Sequence, residues 1–156
     1  MPENHVILYD GVCGLCDRLT RLVIRHDRRR QFRFAPLQGA FAARVLSRYG
    51  RDPRDLDTLY VIHRHGTPSE SLLSRSEAVF FVLSELGGVW RLSRALRWLP
   101  TFLVDRGYGL VARHRYRVFG RYAACPVPEA SDRDRFIEAE RLDERGFEQS
   151  RSLVNH

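Results

Sequence analysis

Nine residues, Tyr9-Asp10-Gly11-Val12-Cys13-Gly14-Leu15-Cys16-Asp17, constrain this chain more than any other stretch. They close a short apolar run, Val6-Ile7-Leu8-Tyr9, that reads as a strand, and they open Leu19–His26, which reads as a helix. A cysteine at such a junction sits beside the unpaired N–H groups of a helix N-terminus, which favour negative charge and hence the thiolate. A second cysteine three positions on faces the same way one turn later, close enough to close a disulfide. The pattern points to thiol–disulfide exchange, with Cys13 as nucleophile and Cys16 as resolving thiol. The competing reading is two half-buried cysteines that merely pack as small apolar residues.

The remaining segments follow in an order that supports this. Val6–Tyr9 is apolar at every position, as a strand buried on both faces would be. Phe32-Arg33-Phe34-Ala35-Pro36-Leu37 alternates and predicts a second strand ended by proline. Gln38–Tyr49 carries apolar residues at helical spacing and stops at Gly50. Leu59–His63 gives the strongest strand signal, and after the turn His65-Gly66-Thr67-Pro68 the stretch Ser71–Ser74 forms its hairpin partner. Ser76, as N-cap, starts a helix through Ala78–Leu86 that ends at Gly87-Gly88. The order is β-α-β-α-β-β-α, an α/β arrangement with a thioredoxin-like mixed sheet. Two further helices are expected, over Val89–Leu99 and Thr101–Phe119. Trp90, Trp98, Phe80 and Phe81 are expected in the core or between helices.

Residues 1–128 are expected to form one domain and 129–156 a polar, acidic tail, partly helical or disordered, with Ser131–Arg145 as a solvent-exposed helix. All 26 basic residues are arginine, which gives a formal charge of +7 concentrated in the body. That charge implies generic attraction to polyanions, and no nucleic-acid recognition fold is visible. No run of about 18 apolar residues predicts a membrane span, and the N-terminus has no signal-peptide pattern. A cytoplasmic setting is therefore expected, where three cysteines serve catalysis or metal binding before structure.

Asp10-Gly11-Val12-Cys13-Gly14-Leu15-Cys16, the arginine-rich helix after it, Phe32–Gln38, and Ala112-Arg113-His114-Arg115-Tyr116-Arg117-Val118-Phe119-Gly120 with Cys125 resemble the DCC family of thiol-disulfide oxidoreductases. The resemblance covers Val6 to Pro128. It implies a thioredoxin-like domain that exchanges its dithiol with a disulfide-containing protein or small thiol substrate, needing no bound cofactor and drawing on an electron donor the sequence does not identify.

Other residues admit two readings each. Asp10 either caps the turn or relays a proton for Cys16. Arg18 and Arg21 either add positive potential at Cys13 or point to solvent, and Asp17 favours the helix dipole. Asp57 stands where thioredoxins carry a cis-proline facing the two cysteines. Cys125 is an inert cysteine, a further resolving thiol, or a zinc ligand beside Cys13 and Cys16 with His114 or His5 as the fourth. His63 and His65 alternate on one strand and read as an exposed hairpin end. Arg113, Arg115, Arg117 and Arg121 read as a solvated helix surface.

Overall fold

The computed structural model describes residues 4–52, 54–56, 58–88, 95, 98–122 and 129–137. β1 (His5–Tyr9), one of the two inner strands of the sheet, is buried at all five positions. It pairs in parallel with β2 (Phe32–Pro36), placing Val6 opposite Arg33 and Tyr9 opposite Pro36. On its other side it runs antiparallel to β3 (Tyr60–His63), with Leu8 opposite Tyr60. β4 (Ser71–Ser74) completes the order β2-β1-β3-β4 as the antiparallel partner of β3. This four-stranded mixed sheet with helices on both faces is thioredoxin-like, as the element order predicts.

Successive side chains of a strand point to opposite faces, so β1 feeds two apolar layers. Ile7 and Tyr9 join Phe32, Phe34, Val61, Val23 of α1 (Gly14–His26), and Ala78 and Val82 of α3 (Arg75–Leu86). Val6 and Leu8 join Ala35, Tyr60, Ile62, and Ala42, Val45 and Leu46 of α2 (Ala40–Arg48) on the other face. Burying each large apolar side chain contributes about 1.5–3 kcal/mol.

α1 begins at Gly14 with Cys13 in the N-cap position and extended backbone angles, so the helix starts at the first cysteine, as expected of a strand-to-helix junction there. Other features differ from the sequence reading for identifiable reasons. α3 is preceded by Ser74, not capped by Ser76; the Ser76 hydroxyl is instead buried and bonded to the Asp105 carboxylate of α4 (Thr101–Phe119). α4 has the expected bounds, bracketed by Pro100 and by Gly120 at φ 79°. Its packing face is not the apolar one, however: Phe102, Leu103, Leu110 and Val111 are exposed, while Tyr108, Arg115 and Tyr116 turn inward. Trp98, expected in the core, is 91% exposed. The helix expected over Val89–Leu99 lies outside the described residues except at Ala95, Trp98 and Leu99.

The stretch after Pro128 also departs from a solvent-exposed helix. Ala130–Arg135 is a short 3₁₀ turn, and Phe136 then stacks on Phe34 with ring centroids 5.1 Å apart. The Ile137 N–H donates to the Phe34 carbonyl at 2.7 Å, and the buried Arg135 pairs with the buried Asp27 and the Phe32 carbonyl. Ring stacking, a backbone hydrogen bond and a buried ion pair together tie this segment to the edge of β2.

Candidate active site

β1 ends in a turn in which the Cys13 N–H donates to the Asp10 carbonyl at 3.3 Å, and the Asp17 N–H donates to the Cys13 carbonyl at 3.0 Å as α1 begins. Both cysteines are free thiols. Cys16 is half-buried against the apolar layer, beside Ile7, Tyr9, Leu19, Val23, Phe34 and Leu59. Cys13 is fully covered, and the chain at and just past the end of α4 lies against it. Cys13 bridges Arg121, the Gly14 N–H donates to the Gly120 carbonyl at 3.2 Å, and the Tyr122 N–H donates to the Val12 carbonyl at 2.8 Å. A Cβ on Gly14 would lie 2.2 Å from the Phe119 oxygen, so only glycine fits between the cysteines here.

The two sulfurs are electrostatically unequal. The Cys16 thiol donates a hydrogen bond to Cys13, which overcomes the penalty of burial and lowers the Cys13 pKa to about 6; the N–H groups of Cys16 and Leu15 and the charge of Arg115 act in the same direction. Cys16 moves the opposite way. Its proton is held by the bond to Cys13, and burial and the neighbouring thiolate charge raise it further. Cys13 therefore ionises first, at the helix start, while Cys16 keeps its proton.

Asp10 is buried beside the pair, and its carboxylate has four donors. Oδ1 accepts from the Val12 N–H at 3.1 Å and from Gln38 Nε2 at 2.7 Å; Oδ2 accepts from Arg115 at 3.2 Å and from the Tyr116 hydroxyl. Burial and the bond to Asp10 push the Tyr116 hydroxyl up to about 12. Tyr108, two turns earlier on α4, accepts from the Leu59 N–H at 2.7 Å. Arg115 thus corrects the expectation of a solvated arginine surface: it is buried, while Arg113, Arg117 and Arg121 remain exposed. Gly14, Gln38, Tyr108, Arg115 and Tyr116 were not singled out as site residues by sequence. The one available signal was the spacing of Tyr108, Arg115 and Tyr116 on a single helix face.

The other candidates are dispersed. Arg18 lies over the Phe119 ring at 5.6 Å, and Arg21 pairs with Asp17 at 3.1 Å on the exposed side of α1. His5 begins β1, at the opposite end from the cysteines and about 13 Å away along the strand. It stacks on His63 at 5.0 Å, so it cannot share a metal ion with Cys13 and Cys16. His65 pairs instead with Glu70 at 2.8 Å, and His114 is exposed on α4. Among the described residues no group of three His, Cys, Asp or Glu is placed to hold a metal ion. Asp57 and Cys125 lie outside the described residues.

A mixed four-stranded sheet with a Cys-x-x-Cys heading its first helix, one thiol favoured as thiolate, defines a thioredoxin-like protein of the thiol–disulfide redox class. The chain belongs to the DCC1-like thiol-disulfide oxidoreductase family, whose pattern matches residues 7–121, from β1 to the segment covering Cys13. It is 33% identical over 126 residues to a chloroplastic DCC family protein of Arabidopsis thaliana, covering 80% of this chain and 70% of that one. It is 31% identical over 134 residues to the uncharacterized protein YuxK of Bacillus subtilis (strain 168), covering 86% of this chain and 94% of that protein. No solved structure matches the chain. Among the described residues no helix is long and apolar enough to cross a membrane.

Proposed function

We propose that Cys13 and Cys16 exchange their dithiol with a disulfide of a protein or small-molecule substrate, in a reducing cytoplasmic setting and without a bound cofactor. The Cys13 thiolate attacks one substrate sulfur, forming a mixed disulfide and expelling the other substrate sulfur as a thiolate. Cys16 then gives up its proton and attacks the Cys13 sulfur, closing the Cys13–Cys16 disulfide and releasing the second substrate thiol. The substrate gains two electrons and two protons; an external dithiol returns the protein to its starting state.

The observation that carries this reading is the unequal pair: a nucleophile at about 6 beside a thiol held protonated. A thiolate near ambient pH is the effective attacking species, and a protonated partner prevents premature ring closure. Because Cys13 is fully covered, Gly120–Tyr122 must part from Val12–Gly14 before a substrate sulfur can approach in line. Asp10 enters as the turn cap, its own N–H directed at the Cys16 sulfur.

The test is the pH dependence of Cys13 alkylation in a Cys16→Ser, Cys125→Ser background, where the serine hydroxyl still donates toward Cys13. A midpoint near 6 is expected. A midpoint at or above the free-cysteine value of about 8.5 removes the nucleophile assigned here.

A further inference from the structure

Arg115 reaches the dithiol from the far end of the chain and is 4% exposed. Its guanidinium bonds Asp10 Oδ2 at 3.2 Å, the Tyr116 hydroxyl at 2.9 Å and the Leu56 carbonyl, and lies over the Tyr116 ring at 4.7 Å. These contacts join the turn preceding Cys13 to the loop entering β3, the two segments that flank the cysteines. A buried ion pair is weak as a source of stability, since apolar residues of similar volume often serve as well or better. Its place beside two thiols gives the charge a different use. A cation in a poorly screened setting favours a neighbouring thiolate, and an anion opposes it.

We propose that Arg115 is a positioning residue of the dithiol: α4 holds a buried cation on Asp10, in the turn that leads into Cys13, where its charge adds to the hydrogen bond from Cys16 in favouring the thiolate and Asp10 opposes it. The proposal deepens the thiol-exchange reading and rests on it. The charge of Arg115 acts on both sulfurs in the expected direction. The ionisable groups facing the guanidinium are Asp10 from the turn after β1, Cys13 and Cys16 from the start of α1, Tyr116 beside it on α4, and Tyr108 and Asp55 nearby. Asp10 makes an ion pair with it at 3.2 Å.

Breaking the pair from either side should lower stability, but the two breaks differ in sign at the sulfur. The alkylation midpoint of Cys13 is measured for Asp10→Asn, Arg115→Met, Arg115→Lys and the double Asp10→Asn/Arg115→Met variant, each in the Cys16→Ser, Cys125→Ser background. Asp10→Asn should lower the midpoint, Arg115→Met should raise it by about one unit, and Arg115→Lys should stay near the parent value. If Arg115→Met, with Asp10 left buried and unpaired, does not fold, the double variant compared with Asp10→Asn isolates the same charge and should lie about one unit higher. Equal midpoints in that comparison, or shifts of Asp10→Asn and Arg115→Met in one direction, overturn the proposal. A parent midpoint at 8.5 or above instead removes the exchange reading, and the order of the variants still decides the role of Arg115.

Discussion

Gly14 lies where the carbonyl of Phe119 sits 2.2 Å from the place a Cβ would occupy. Neither atom can yield cheaply, since one belongs to α1 and the other to the last turn of α4. Gly14→Ala should therefore cost about 1–3 kcal/mol, read as a lower urea midpoint. It should also speed Cys13 alkylation, because the chain that must lift is the chain that covers the thiol. An unchanged midpoint and rate would mean that α4 does not close on this residue. The two cysteines were legible in the sequence because their relation is local, three positions on one helix turn. Gly14 and Arg115 were not, since their partners stand 105 residues away and no periodicity reports a contact at that range.

Elements were legible wherever punctuation and period agreed. β4 and α4 have the bounds expected, the first after the turn at Gly66, the second between Pro100 and Gly120. The face of α4 was not, because its inward side carries polar groups that earn burial through specific partners, and apolar counting assigns such residues to solvent. The β3–β4 hairpin shows a similar device at its tip. Glu70 accepts from the Gly66 N–H at 2.8 Å, from His65 at 2.8 Å and from the Tyr49 hydroxyl at 3.1 Å, tying the turn to α2. The Gly66 N–H, chiefly, and His65 hold its carboxyl below the ordinary glutamate value. A depressed folded value means stability that is present above the unfolded value of about 4.3 and is lost as pH falls through the lower, folded one. Glu70→Gln should thus flatten the acid limb of a denaturation-versus-pH curve while leaving its neutral-to-basic shape unchanged. An acid limb identical to the parent's would show that the hairpin tip does not depend on this carboxylate.

For the molecule as a whole, the sheet, α1 and the end of α4 act together on one charge, and that coupling must appear in global stability. With Cys13 at about 6 in the fold and about 8.5 when unfolded, the thiolate favours the reduced folded state by on the order of 1 kcal/mol at pH 7. The contribution is complete above the unfolded value and disappears as pH falls through about 6. The Cys13–Cys16 disulfide form lacks both thiols: it loses the Cys13 term, and it loses the opposing one of Cys16, whose raised value tells against the reduced fold only as pH rises through the unfolded value of about 8.5, while the remaining titrating groups are common to both forms. The stability of the reduced protein minus that of the oxidised protein should therefore rise between pH 6 and about 8.5, read by urea unfolding with and without reductant. The entropy of closing so short a disulfide loop does not depend on pH, so it offsets the difference without altering its slope. A stability difference that falls with pH over this window would show that the fold opposes the Cys13 thiolate, and the nucleophile would have to be sought elsewhere.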